Sequence, residues 1–223
     1  MAMLSQALPP LLLTLKVAGL ATLLAFVVGV AMAKLLGGRN FFARDILDAA
    51  CTLPLVLPPT VLGYYLIVVF GRQGILGSWL ERELGISLMF TWQGAVLAAA
   101  VVAFPLVYKS ARAALESVPR DCENAARTLG ASEFEIFLRI SLPLATPGIL
   151  AGVMMAFARA MGEFGATLMI AGNLPGRTQT LSLAVYSAVQ AGQDGLANFL
   201  VLVISLACIA ILATAAKLIK TSY

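Results

Sequence analysis

The chain has no histidine and few charged side chains of either sign. It has 15 Lys and Arg and 11 Asp and Glu among 223 residues, or 12%. A soluble domain carries about 25% charged residues, so this chain has too few to cover a water-exposed surface. Its hydrophobic fraction is 61% and its mean hydropathy is +0.95. These values predict a single domain embedded in a lipid bilayer. The absence of histidine removes imidazole catalysis and the commonest metal ligand.

Cysteine and net charge carry little further information. Cys51, Cys122 and Cys208 are far apart and lack the spacing of a metal site. The net charge of +4 has a topological cause, because membrane proteins keep an excess of Lys and Arg on their cytoplasmic side. The net charge therefore indicates contact with membrane lipid and does not indicate nucleic-acid binding. The first apolar run has no basic stretch before it and no small-residue cleavage site behind it. We therefore expect a retained first helix.

Five apolar segments are long enough to cross about 30 Å of hydrocarbon, which takes about 20 helical residues. They are residues 11–36, 49–70, 88–108, 142–171 and 196–216. The predicted fold class is an all-α integral membrane protein, one domain over residues 1–223 with its core at about 11–217.

The second of these segments is interrupted by prolines. Pro54, Pro58 and Pro59 lack backbone donors. They force either a simple packing kink or a full break beside a cavity.

Basic residues are unevenly divided between the two sides that these segments define. Three lie on one side, at Arg72, Arg82 and Arg177. Ten lie on the other side, at Lys34, Arg39, Arg44, Lys109, Arg112, Arg120, Arg127, Arg139, Lys217 and Lys220. Because the side richer in Lys and Arg is cytoplasmic, we expect the N-terminus outside and the C-terminus inside. An odd number of crossings, such as five, places the two termini on opposite sides of the membrane, as this orientation requires.

Two further segments do not fit simple spans. Residues 71–87 carry four charges, at Arg72, Glu81, Arg82 and Glu83, and predict an external loop with a helical turn. Residues 178–193 carry no charge but are too polar for lipid. They predict a re-entrant or interfacial helix buried in protein, or else an amphipathic helix on the surface.

The longest polar stretch, Lys109–Pro143, holds ten of the 26 charged side chains. Pro119 suits a first helical turn, and acidic residues follow it, which favours a helix N-terminus. Gly130 predicts the end of that helix. Ser132 and Glu135 have the spacing of a capping box that starts the next helix. We expect a helix, a glycine turn and a second helix on the cytoplasmic side, with an alanine face suited to a groove on another protein.

This stretch resembles the EAA loop of permease subunits of ABC importers, E-A-A-x-x-x-G-x(9)-I-x-L-P. The matching residues are Ala125, Ala126, Gly130, Ile140, Leu142 and Pro143. Asn124 stands at the glutamate position, and Glu123 comes one residue earlier. The resemblance implies that residues 109–142 form a coupling loop whose helix docks in a cleft of the ATPase subunit. The implied ATPase-coupling residues are Asp121, Glu123, Asn124, Ala125, Ala126, Leu129 and Gly130.

Three more stretches, residues 53–66, 71–77 and 157–181, resemble bacterial and archaeal molybdate permeases. Sulfate and tungstate permeases are similar in parts of them. The resemblance implies the type I ABC importer permease fold, a homodimer in the plasma membrane and transport of a tetrahedral oxyanion, most of all molybdate. It also implies two ATPase subunits and an external oxyanion-binding protein as partners. The chain has no G-x-x-x-x-G-K-[ST] phosphate loop, so we expect ATP and Mg²⁺ to be used by the partner ATPase.

Glu163 is the one carboxylate inside a predicted span, where a central charge costs about 2.5–3.5 kcal/mol. Arg159 lies four residues earlier on the same helix face and is its expected intramembrane ion partner. Glu163 either lies near a gate or forms a structural pair. Neutral donors, helix-breaking prolines and small residues complete the candidates for the pathway or gate. The full set is Thr52, Pro58, Pro59, Thr60, Tyr64, Glu163, Gly165, Thr167 and Ser187.

A secondary carrier or channel that works alone is the alternative from a different class. It predicts intramembrane ion-coupling residues and usually internal repeats. This sequence offers Glu163 and no visible repeat. A scaffold without transport would leave the broken second segment and the polar segment 178–193 without a purpose.

Overall fold

The computed structural model describes residues 2–37 and 43–220, and within these ranges the side chains of residues 3–214. Arg39 and the side chains of Lys217 and Lys220, three of the ten basic residues on the predicted cytoplasmic side, lie outside the described residues. The described chain is helical, and its helices are joined by short connections. Their bounds are Ala2–Leu36 (α1), Arg44–Val56 (α2), Pro59–Phe70 (α3), Ile75–Leu84 (α4), Trp92–Glu116 (α5), Arg120–Thr128 (α6), Glu133–Ile136 (α7), Leu142–Met161 (α8), Gly165–Ala171 (α9), Leu181–Gln190 (α10) and Asp194–Lys220 (α11). A π turn, Phe137–Ser141, joins α7 to α8.

Helix α5 is the centre of the core, and α1 and α8 pack on it. Small residues on facing helices let the backbones come close, as is usual for helices in lipid. A Cβ atom at Gly29 of α1 would stand 3.0 Å from Val107 Cγ1 of α5. A Cβ at Gly152 of α8 would overlap the side chain of Ser110 on α5. The long spans are therefore held together by close backbone contact.

The second predicted span is two helices, α2 and α3, bent by 117°. The bend lies at Leu57, whose backbone is extended, and Pro58 precedes the first turn of α3. Proline disfavours the helical conformation of the residue before it and supplies no backbone N–H, so two consecutive prolines end α2 and restart the chain as α3. Of the two possibilities left open by the sequence, the structure has the full break.

By length and composition, four described helical segments are able to cross a membrane, and the bent pair makes five. Three predicted bounds need correction. The fourth predicted span, 142–171, exists but ends earlier than predicted, because α8 ends at Met161 and α9 starts anew at Gly165. The third predicted span is α5, which starts at Trp92 and runs to Glu116, so the first part of the polar stretch continues a span. The external segment contains the ten-residue helix α4, longer than a single turn.

Helix α10 lies within the polar segment 178–193. One face of it is buried against α1 and α11, through Leu181, Ala184 and Ala188. Thr14 of α1 accepts a hydrogen bond from the Leu181 backbone N–H at 2.8 Å. This face of α10 is therefore part of the protein core.

Candidate functional sites: the polar loop and two adjoining helix breaks

The polar loop begins with α6 and ends that helix in a glycine turn. Gly130 has a φ of +83°, a left-handed conformation that glycine adopts without a Cβ penalty. The Ala131 N–H donates to the Ala126 carbonyl at 3.1 Å, and the Gly130 N–H donates to the Arg127 carbonyl at 3.0 Å. These two bonds form a Schellman motif, which satisfies the last carbonyls of α6.

The second helix of the loop starts with a capping box. Ser132 Oγ accepts from the Glu135 N–H at 3.3 Å, and Glu135 Oε2 accepts from the Ser132 N–H at 3.0 Å. The single turn of α7 then widens into the π turn before α8 begins. The loop is thus a helix, a glycine turn and a second helix that continues into a membrane span.

The two faces of α6 differ in exposure. Glu123 and Ala126 are half-buried and face the rest of the chain. The other residues implied in ATPase coupling are exposed, namely Asp121, Asn124, Ala125, Leu129 and Gly130. The two adjacent alanines therefore do not share one docking face. The apolar surface that the loop presents is instead formed by Leu129 and Phe134, which are 87% and 69% exposed.

Polar side chains fix the shape of the loop. Arg127 donates to Glu133 Oε1 at 2.6 Å and to Asn124 Oδ1 at 2.8 Å. The hydrogen bond to Glu133 raises the pKa of the Arg127 guanidinium above its usual value. Glu123 Oε1 accepts from Ser141 Oγ at 2.7 Å. Asn124 thus supplies one acceptor for Arg127, whose Nη2 also lies 3.7 Å from Glu123 Oε2, while Glu123 Oε1 bonds to the π turn.

The second candidate site is the place where the two helix breaks meet. Helices α3 and α9 run parallel, with their first turns in contact. A Cβ at Gly165 would stand 2.9 Å from Pro59 Cβ, and a Cβ at Gly63 would stand 2.6 Å from Met169 Cβ. Two short helices, each starting after a break, therefore touch almost backbone to backbone.

Glu163 is 3% exposed and lies in the break between α8 and α9. Its Oε1 accepts from the Ala166 N–H at 2.8 Å, which caps the first turn of α9. Its Oε2 lies 2.9 Å from Arg159 Nη1, an ion pair between positions four residues apart. Oε1 is thus hydrogen-bonded, whereas Oε2 faces the Arg159 charge without hydrogen-bond geometry, so Glu163 holds the break through one hydrogen bond and one ion pair.

The remaining candidates are spread over several helices. Thr60 and Tyr64 are exposed one turn apart on α3, next to the exposed Pro58. Thr52 donates to the Asp48 and Ala49 carbonyls of its own helix, whereas Thr167 is buried. Ser187 on α10 accepts from Asn173 Nδ2 at 2.7 Å and from Gln179 Nε2 at 3.2 Å. The structure therefore gathers Pro59, Gly165 and Glu163, and places Thr52 and Ser187 elsewhere.

A charged cluster between α2 and α5 was missed from the sequence. Asp48 Oδ1 accepts from Tyr108 Oη and from Arg112 Nη1, both at 2.6 Å. Lys109 Nζ lies 3.1 Å from Asp48 Oδ2. The i, i+4 spacing of Tyr108 and Arg112 is visible in the sequence, but the partner carboxylate lies about 60 positions away. This cluster fastens the first half of the broken span to the central helix.

These features define a multi-pass membrane protein whose polar loop connects the spans α5 and α8. A family model described as "binding-protein-dependent transport system inner membrane component" matches residues 25–220. The chain belongs to this family and is a transport permease subunit of the plasma membrane. Proteins of this kind work with an ATPase and a binding protein.

Curated relatives agree with this assignment. The chain is 47% identical over 203 residues to the molybdenum transport system permease protein ModB of Escherichia coli strain K12, covering 90% of this chain and 89% of that protein. It is 44% identical over 193 residues to the putative molybdenum transport system permease protein YvgM of Bacillus subtilis strain 168, covering 86% and 85% of the two chains.

Solved structures give the fold independently. The inward-facing MetNI methionine ABC transporter superposes with a TM-score of 0.78 at 18% identity, covering all of this chain and 98% of the other. A bacterial ABC transporter that imports the polysaccharide alginate superposes with a TM-score of 0.76 at 16% identity, covering 97% and 79%. The fold is that of type I ABC importer permeases, as the sequence resemblance predicted.

Proposed function

We propose that this chain is the transmembrane permease of an ATP-driven importer that carries molybdate into the cytoplasm. The observation that carries the proposal is the 47% identity, over 90% of the chain, to a permease named for molybdenum transport. The chain is the non-catalytic subunit. It binds no cofactor of its own, and ATP and Mg²⁺ are used by the partner ATPase, because the sequence has no phosphate loop.

Two copies of the chain form a homodimer with the pathway between them, and each copy presents its α6 to one of two ATPase subunits. When the ATPases close on ATP, they move the two α6 helices together and turn the spans from inward-facing to outward-facing. An external binding protein then releases the oxyanion into the opened cavity. This is alternating access driven from the polar loop.

The pathway recognises the oxyanion weakly, through neutral groups. Glu163 is a poor ligand for a dianion, and its two oxygens are engaged by Arg159 and the Ala166 N–H. The exposed hydroxyls of Thr60 and Tyr64 are better suited, because a permeation path must release what it binds. High affinity therefore resides in the external binding protein.

Sulfate is the second candidate substrate, with thiosulfate and tungstate close to it in charge and shape. One observation favours it: the chain is 41% identical over 162 residues to the probable sulfate transport system permease protein cysT of Nephroselmis olivacea, covering 73% of this chain and 57% of that protein.

The test is uptake by vesicles that contain the chain, its ATPase and its binding protein. We expect ATP-dependent uptake of radioactive molybdate, with weaker competition by sulfate than by tungstate. Preferred uptake of sulfate would overturn the choice of molybdate. Oxyanion uptake by vesicles that lack the ATPase would overturn the importer assignment in favour of a carrier or channel.

A further inference from the structure

Helix α6 is joined to the membrane spans by few side chains. None of its nine residues, all of which the structure describes, is buried. Its inward face offers Glu123 and Ala126, and Glu123 is bonded to Ser141. Its other polar link, Arg127 to Glu133, joins two side chains that are 41% and 65% exposed. Exposed ion pairs contribute little, so the Glu123 link is the stronger hold on α6.

Ser141 is placed to receive a movement of α6. It is 3% exposed and is the last residue of the π turn, directly before α8. Its Oγ lies 2.7 Å from Glu123 Oε1 and 3.5 Å from the Ile136 carbonyl. A hydroxyl that donates to a carboxylate forms a charge-assisted bond, which is shorter and stronger than a neutral one. π turns inside helices are frequent at functional sites, because they interrupt the regular hydrogen-bond ladder.

Helix α8 connects this turn to the second candidate site. It runs without a break from Leu142 to Met161, which is about 30 Å at 1.5 Å per residue. At its far end, Arg159 pairs with Glu163, which caps α9 where Gly165 meets Pro59. One continuous helix, with Pro147 near its start, thus connects Ser141 to the place where the two broken spans touch.

We propose that Glu123 and Ser141 are a positioning pair that transmits the movement of the docking helix α6 to α8 and so couples ATP hydrolysis to transport. The proposal rests on the proposed function of α6 as the ATPase-docking helix. It assigns to Glu123 a role inside the permease, at a position next to the glutamate of the family pattern.

The first test measures coupling in vesicles with the complete transporter, as oxyanion taken up per ATP hydrolysed. Ser141→Ala and Glu123→Ala should each lower this ratio about two- to tenfold, the usual range for loss of one partly exposed hydrogen bond. The double variant should be no worse than Glu123→Ala alone, because Glu123→Ala already removes the bond to Ser141 together with the 3.7 Å ion pair to Arg127. Glu123→Gln keeps an acceptor oxygen and should restore most of the ratio. Ser117→Ala is the matched control, since Ser117 Oγ donates to the Ala114 carbonyl of its own helix.

The second test needs no transport. Cys122 is exposed on α6, so a nitroxide spin label can be attached to it in a chain whose Cys51 and Cys208 are alanine. The label should become more mobile with Ser141→Ala and Glu123→Ala, and remain as in the parent with Glu123→Gln and Ser117→Ala. A wild-type coupling ratio together with unchanged label mobility in Ser141→Ala would overturn the positioning pair. Failure of the wild-type complex to use ATP for uptake would instead overturn the proposed function, and the label would still show whether the pair holds α6.

Discussion

Gly165 touches Pro59 so closely that a Cβ atom on the glycine would stand 2.9 Å from the proline Cβ and 3.5 Å from the Thr60 nitrogen. The two residues belong to different broken spans, and each begins the helix that follows its break. The two breaks are therefore packed against each other, so a substitution at one break disturbs the packing of the other.

Gly165→Ala should destabilise the protein by about 1–3 kcal/mol, the usual cost of overpacking a tight contact. The added methyl group meets a rigid proline ring and backbone atoms, neither of which can move aside easily. The measurement is thermal unfolding in detergent. Gly19→Ala is the matched control, because a Cβ there meets nothing within 4 Å. It should be neutral or slightly stabilising, and equal losses in both variants would contradict the packing argument.

Arg159→Ala should destabilise the protein more than Glu163→Gln does. The first change leaves a buried carboxylate without its ion partner, whereas the glutamine keeps an acceptor for the Ala166 N–H. Because Arg159 is one-third exposed, we expect Arg159→Ala to lower the free energy of unfolding by about 1–3 kcal/mol, less than for breaking a fully buried ion pair. Unfolding of both single variants and of the double variant measures the coupling. A double variant less stable than Arg159→Ala alone would contradict the ion-pair assignment.

Asp48→Asn should loosen α2 from α5, because it removes the charge that faces Lys109 and Arg112 while keeping the shape of the side chain. The expected loss in the free energy of unfolding is about 1–3 kcal/mol, as for a hydrogen-bonded charged group that loses its partner. Asp45→Asn, an exposed change on the same helix, is the control and should have little effect. Unfolding in detergent at low and high salt checks both. Equal stability of the two variants would show that the cluster does not fasten α2.

Gly130→Ala should impair ATP-driven uptake, because alanine at a φ of +83° costs about 1–2 kcal/mol and shifts the turn that aims α6. Gly176 has a similar φ of +73° in the connection between α9 and α10, with nothing within 4 Å of a Cβ. Gly176→Ala carries the same backbone strain away from the polar loop and should leave uptake unchanged. Equal uptake by the two variants would show that the Gly130 turn does not set the docking geometry.

Cys122 should be labelled by a membrane-impermeant maleimide in inside-out vesicles and not in intact cells. The reason is the predicted orientation, which puts α6 in the cytoplasm, together with the exposure of this thiol. Glu83→Cys, an exposed position on α4, should show the opposite pattern in a chain without Cys122. Ready labelling of Cys122 from outside intact cells would reverse the topology.

Hydropathy and capping signals predicted much of this structure, because both act over short distances. The apolar segments located the spans, and the Gly130 turn and the Ser132 capping box have the predicted form. Proline chemistry predicted an interruption among Pro54, Pro58 and Pro59 but left open whether it is a kink or a break; the structure has a full break of 117° at Leu57, with Pro54 inside α2.

The parts that the sequence did not predict depend on contacts between distant residues. The end of α8 at Met161 lies inside a long apolar run, and it becomes a break because the Glu163 side chain caps a new helix. The cluster at Asp48 joins residues about 60 positions apart. The division of α6 into an inward Glu123 and an outward Asn124 required the position of Ser141.

The open placement of α6 also bears on how such a transporter evolves. Since none of its nine residues is buried, the permease's own folding places little demand on the identity of Asp121, Cys122 or Ala125, which make no side-chain bond described above. Selection at these positions comes mainly from the surface of the partner, so they are free to change together with it. Exchange of residues 120–129 between related permeases should therefore transfer partner preference as a module, provided that Glu123 and Ala126 are kept.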